Sequence, residues 1–250
     1  MPKVFGWQHL IYLAIYLAFA VPFLIVVKLK IKSERTQNII AKIMGGVLLV
    51  LIIWNRFAIA DFKGNWLLLL PDSICGVMSV SLGITLIVCK RDSIFFHYLV
   101  YIAFFGGLAN VFYPYYVAQD ANFMLPATIS GLMHHSVALT ASVYMVLTGY
   151  FKPSTKKFYA FPLGLTFNIC YGAFLLDALG VENIGEKGFT TAMNIFGPLV
   201  PGSFITSWYI VFPAISAAFY GLLVLYEKFL LPKLDKKTDE TTTDVDRLGE

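Results

Sequence analysis

Charge is what this sequence has least of. Only 14% of its 250 residues are Asp, Glu, Lys or Arg, while 58% are hydrophobic and the mean hydropathy is +0.72. Soluble domains carry about 25% charged residues. A water-soluble core of this length could not hide so much apolar surface, and a lipid solvent removes the difficulty. Cysteine is scarce too. The three present, Cys75, Cys89 and Cys170, all fall inside apolar runs, which argues against a disulfide framework. No internal repeat is visible, so the inverted-repeat plan of many secondary transporters has no support. No single basic patch stands out either: the +4 net charge is dispersed between apolar runs, and no nucleic-acid partner is expected.

What is present is a series of apolar runs. A spanning helix takes about 20 mostly apolar residues. Such runs occur at 9–27, 38–58, 66–88, 93–113, 127–149, 158–180 and 205–227. The first is a retained span rather than a leader, since its positive charges follow it and no small-residue cleavage site does. The expected fold is all-α: a polytopic membrane helix bundle of about seven transmembrane helices, in the cell membrane. The bundle occupies residues 1–233, and a charged, Thr-rich, disordered tail follows at 234–250. The long connection at 181–203 reads equally as a surface lid or a plain loop.

Lys and Arg set the orientation. One side receives Lys28, Lys30, Lys32 and Arg35, then Lys90 and Arg91, then Lys152, Lys156 and Lys157, then the basic residues from Lys228 onward. The other receives only Lys3, Arg56, Lys63 and Lys187. Every alternate loop agrees. The expectation is therefore an N-terminus outside and a C-terminus in the cytoplasm.

Polar side chains inside a span are costly and usually face the bundle interior. The candidates are Asp72, Cys75, His97, His134, His135 and Asp177, with Asn55, Asn110 and Asn168 as uncharged companions and Arg56 beside Asn55. Cys75 comes nine residues after Trp66 and His135 eight after Ala127, so both lie some 12–14 Å below the outer boundary at about 1.5 Å per residue. Asp72 shares the Cys75 face one turn higher. Most of this polar material falls in the outer half, which suggests a cavity opening outward. A thiol beside an imidazole suits nucleophilic catalysis, the imidazole taking and returning the proton. Against that stands the commoner fate of a membrane cysteine, a small apolar filler. His134 and His135 are about 100° apart on a helix, so only one can serve such a site and the other makes a structural hydrogen bond. His97 and Cys89 read as interfacial, and Asn168 as an interhelical hydrogen-bond partner. Trp7, Trp54, Trp66, Tyr113, Tyr115 and Tyr116 form an aromatic belt. Gly45–Gly46 and Gly106–Gly107 mark close helix contacts.

Four stretches carry a family likeness. LLPDSIC ends at Cys75; FGGLANVFYP covers 105–114; HHSVALTASVY places His135 nine residues before Tyr144; MNIFGPLVPGSFITSWYI covers 193–210. In order and spacing they resemble the YwaF-like family of bacterial membrane proteins, related to the mammalian transmembrane protein 164. The resemblance implies a lipid acyltransferase or transacylase working on membrane phospholipids or lysolipids, with the nucleophile at Cys75 and the base at His135. Among the polar residues read from the spans, Asp72, His134, Asn168 and Arg56 are expected to support the pair, and no cofactor or metal is expected. Two departures stand out. The family's His before the Cys is replaced by Asp72 or Ser73, and the Trp of its Gly-Pro-Trp-Pro run by Leu199. Alternatives from other classes are a seven-span transporter or solute-binding protein, and a metal-dependent lipid hydrolase using Asp72, Cys75 and one His. A retinal protein is disfavoured because Lys228 lies at the end of the last span, not in its middle.

Overall fold

The structure is a computed structural model describing residues 5–71, 73–114, 122–179 and 204–231. Asp72, Tyr115, Tyr116, the 181–203 connection and the 234–250 tail, all singled out above, lie outside the described residues, as does the side chain of Asp177. Among the described residues there are seven α-helices and no strand: α1 (Trp7–Lys30), α2 (Glu34–Lys63), α3 (Ile74–Val88), α4 (Phe96–Phe112), α5 (Pro126–Leu147), α6 (Ala160–Leu179) and α7 (Phe204–Leu225). Two of them, α1 and α2, are long and apolar enough to cross a membrane, and α3 and α4 are shorter apolar helices.

α5 is the centre of the bundle. It packs against α1, α2, α3 and α4, and α2 also packs against α3. Its Ser and Thr hydroxyls and its histidines give each neighbour a hydrogen bond or a close contact. Tyr12 and Tyr16 of α1 meet Ser136 and Thr140 at 2.7 and 3.1 Å. Asn55 of α2 donates to the Ala127 carbonyl and to Ser130, each at 3.0 Å, and Tyr144 donates to the Gln37 carbonyl at 2.6 Å. α1, by contrast, turns an aliphatic surface outward, with Leu10, Ile11, Ile15 and Ile25 exposed.

The third span is not one helix. A 3-10 turn covers Trp66–Leu69, and α3 begins only at Ile74. Pro71 is the cause: proline lacks an N–H and forces the residue before it out of helical geometry. Leu70 is accordingly extended, at φ −67° and ψ 134°. The backbone groups freed by the break find side chains instead. Leu70 carbonyl accepts from Arg56 Nη1 at 3.5 Å, and Ser73 Oγ caps α3 by accepting from the Gly76 N–H at 2.9 Å. Cys75 therefore sits in the first turn of α3, not mid-helix. The depth reckoned by counting along a continuous helix from Trp66 is corrected accordingly.

Two further clusters close the bundle. Tyr101 of α4, Phe161 of α6 and Phe219 of α7 stack with ring centroids 4.7–6.2 Å apart. At the end carrying Lys90 and Arg91, Asp92 ties the α3–α4 loop to the α5–α6 connection by bonding Lys157 and accepting the Lys152 N–H at 3.3 Å. Burial opposes the charge on Asp92, but the hydrogen bonds from Lys157 and Lys152 outweigh it and hold the carboxyl below its usual range. His97, expected at the interface, is fully buried in the first turn of α4 with Nε2 3.3 Å from Asp92.

The two glycines of α2 have unequal roles. A Cβ on Gly45 would come within 2.7 Å of the Gly83 carbonyl and 2.9 Å of Leu86 Cβ, so α2 and α3 touch backbone to backbone there. A Cβ on Gly46 would meet nothing within 4 Å. Gly45→Ala is expected to destabilise the bundle by about 1–3 kcal/mol through overpacking. Gly46→Ala should be neutral or stabilise it by up to about 1 kcal/mol through helix propensity. Denaturant titration of the two variants in micelles checks the contrast.

Candidate active site

α3 and α5 bring the sequence-selected residues toward one stretch of α4. Cys75 Sγ lies 3.5 Å from the position of a Cβ on Gly106. Asn110, one turn further along α4, points its Nδ2 at the same sulfur from 3.9 Å while donating to the Gly106 carbonyl at 2.8 Å. On the other side of α4, a Cβ on Gly107 would meet the His135 carbonyl at 3.0 Å and Leu139 Cβ at 2.8 Å. Since Leu139 is one turn from His135, the α5 face carrying both is the one pressed against Gly107. Gly107 thus admits the His135 turn, while Gly106 leaves the thiol at no more than ordinary contact distance.

The histidines divide as their 100° offset requires. His134 Nδ1 pairs with Ser79 Oγ at 3.0 Å, both side chains being buried. Ser79 is one turn below Cys75 on α3, so His134 meets the cysteine-bearing face one turn deeper than the thiol. The His135 ring lies beside it, centroids 4.3 Å apart, and its buried Nδ1 makes no hydrogen bond. A neutral imidazole always offers one donor and one acceptor, and leaving one buried without a partner costs free energy. That makes His135 the histidine with hydrogen-bonding capacity to spare. No hydrogen bond joins Cys75 to either histidine among the described residues; the half-buried thiol has Asn110 as its polar neighbour.

The supporting residues spread out. Arg56 is buried on α2 and reaches the Leu70 carbonyl at the helix break, beside the segment that leads to Cys75. Asn168 is buried on α6, donating to Tyr98 Oη and to the Gly164 carbonyl at 3.1 Å. It tethers α6 to α4 and is not among the groups meeting Cys75. Ser79 was not singled out from the sequence, although its spacing of four from Cys75 places it on the same helical face. Among the described residues, no three His, Cys, Asp or Glu side chains gather as a metal site.

The described residues are helical, two helices are long and apolar enough to cross a bilayer, and polar groups turn into the bundle, which together with the family match marks a membrane protein. The chain belongs to the TMEM164 family, whose family model matches residues 4–224. No match is found among curated proteins or among solved structures.

The Ser79–His134 bond should be measurable by itself. In a double-mutant cycle with Ser79→Ala and His134→Ala, the coupling is expected at about 0.6–1.7 kcal/mol, the range of interhelical hydrogen bonds in membrane proteins. A coupling of zero would mean that the bond contributes nothing to holding α3 on α5.

Proposed function

We propose that the protein is an integral membrane lipid acyltransferase, or transacylase, of phospholipid metabolism. Cys75 is its nucleophile and His135 its proton carrier. The observation that carries this reading is the placement of the Cys75 sulfur and the His135 turn against neighbouring glycines of α4, with a buried ring nitrogen of His135 unpartnered. The thiol stands in the first turn of α3, where helix N–H groups lack intrahelical partners and face any charge that develops nearby. The family resemblance of the LLPDSIC and HHSVALTASVY segments points to the same pair.

In this reading the thiol gives its proton to His135 as sulfur attacks the ester carbonyl of a donor phospholipid. The carbon–oxygen bond breaks, the leaving lysolipid oxygen takes the proton from the imidazole, and a thioester remains on Cys75. An acceptor lysolipid hydroxyl then loses its proton to His135 and attacks the thioester, and the thiolate leaves and recovers the proton. The thiol and the imidazole must close the gap between them when substrate enters, as catalytic hydrogen bonds often do. Asn110 is the polar group beside the thiol, Arg56 holds the Leu70 carbonyl at the helix break, and His134 positions α5 through Ser79.

The reading includes the membrane arrangement. Seven crossings of the cell membrane, N-terminus outside, follow from the alternation of basic loops. α3 alone, at 15 residues, rises about 22 Å, short of the roughly 30 Å hydrocarbon core. The 3-10 turn and the extended Leu70 after it carry the chain toward the outer boundary ahead of α3. Irregular backbone is tolerated at membrane depth where it is buried in protein or lines a polar cavity, which suits a substrate site at residues 70–75.

Ping-pong kinetics with a labelled donor test the reading. Cys75→Ala is expected to abolish acyl transfer, and His135→Ala to reduce it by at least about 100-fold, within the usual range for loss of a general base. His134→Ala should lower stability more than turnover. A hydroxylamine-labile acyl adduct should appear on wild-type protein when the acceptor is withheld. Transfer by Cys75→Ala at the wild-type rate would refute the mechanism.

A further inference from the structure

Away from Cys75, a cavity of about 650 Å3 lies between α3, α4 and α6. That is the size of a pocket for a drug-sized molecule or a long hydrocarbon chain. Its walls are hydrocarbon: Val77 and Ile84 from α3, Leu163 and Phe167 from α6. Its polar groups include the Tyr98–Asn168 pair, which is occupied with itself. The wall is open to the side, since Ile84 is 47% and Leu163 is 63% exposed. This is a groove in the flank of the bundle.

The mouth is chemically different. The groove runs to Cys89 and Tyr159, at the end of the bundle where the basic residues gather. Several of these are already committed. Arg91 donates to Gln37 and to the Thr148 carbonyl, and Lys157 pairs with Asp92. Lys90, next to Cys89, and Lys156, three residues before Tyr159, are exposed. Asp92 holds Lys157, and Glu227 accepts from the Thr155 N–H and hydroxyl at 2.7 Å each and lies within the field of Lys156. An open apolar trough therefore ends beside two exposed lysines, Lys90 and a Lys156 that shares its charge with Glu227. Within a bilayer a trough gains nothing by excluding water, so an occupant must be selected by shape and by its head.

We propose that this groove binds one acyl chain of an anionic glycerophospholipid, with the phosphate of its headgroup held by Lys90 and Lys156. The inference rests on the membrane arrangement proposed above and not on the chemistry assigned to Cys75. A chain enters from the side between α3 and α6, along Ile84 and Leu163. The headgroup stays at the level of the loops that Asp92 ties together. A zwitterionic lipid carries a choline beside its phosphate, which the two lysines repel, so the site discriminates by net headgroup charge.

Photolabelling of the full chain in phosphatidylcholine nanodiscs tests this without any turnover. The probes are phosphatidylglycerol and phosphatidylcholine, each with a diazirine in mid-chain at about 2 mol%, and labelled peptides are read by mass spectrometry. The glycerol probe is expected to label residues 77–88 and 159–168 at least about 5-fold more than the exposed α1 surface at 10–19, and the choline probe is not. Ile84→Trp and, independently, Leu163→Trp should cut groove labelling about 5-fold while leaving α1 labelling unchanged. Both sites are exposed, so the fold tolerates them. Lys90→Gln with Lys156→Gln should bring the glycerol probe down to the choline level. Equal labelling of groove and α1 surface, equal labelling by the two probes in the wild type, or persistence of groove labelling in both tryptophan variants would each overturn the proposal. Repeating the experiment in Cys75→Ala separates the two readings: labelling there should match the wild type whether or not that variant transfers acyl groups.

Discussion

The bundle depends on α5 carrying polar side chains into an apolar medium and finding a partner for them on one helix after another. Ser136 and Thr140 face α1, Ser130 faces α2, and His134 faces α3. In lipid the usual gain from burying hydrocarbon is absent, so helices are held by close packing and hydrogen bonds. Each bond is worth little alone, but together they fix the rotation of α5 about its own axis. That rotation decides where His135 goes. With His134 locked onto Ser79, the next residue sets its backbone carbonyl against Gly107 of α4 and its ring beside that of His134. The structural histidine orients the proposed catalytic one.

α4 contributes by what it lacks. A side chain at Gly107 would collide with α5, while one at Gly106 would meet the Cys75 sulfur at ordinary contact distance. The absent side chain of Gly107 is what allows α5 to close on α4. Pro71 acts in the same direction on the other partner. By ending the preceding turn, it lets α3 start at Ile74 and puts Cys75 in a first helical turn, capped by Ser73. Site geometry here is set by backbone: one residue without a side chain and one without an N–H.

Much of this was legible in the sequence, and the limits have physical causes. The apolar runs located the seven α-helices of the described residues, because hydrophobic length is a strong signal in a chain of so little charge. Pairing Cys75 with His135 came from counting residues along a supposed continuous helix. The Pro71 break invalidates that count; the contacts with Gly106 and Gly107 put each residue against α4 without joining the two. The break was readable, since Leu-Pro disfavours helix, but an unbroken hydropathy profile masks it. The Gly45–Gly46 and Gly106–Gly107 pairs were visible as packing signals; that Gly46 touches nothing was not, because facing requires the helix neighbours to be known. His97 was placed near the interface by depth, yet burial depends on Asp92 and Phe151 folding over it. The side groove had no signature at all. It is made of ordinary aliphatic residues from three separate helices.

The central claim is that Cys75 and His135 approach each other inside the bundle from α3 and α5. Site-directed cross-linking measures this most directly. His135→Cys should be bridged to the native Cys75 by dibromobimane, whose reach is about 5 Å, in membranes containing the otherwise cysteine-free chain. Met133→Cys, two residues back and turned toward a different side, should not be. Bridging at 133 and none at 135 would show that α5 is rotated away from the thiol, and the shared site would not exist.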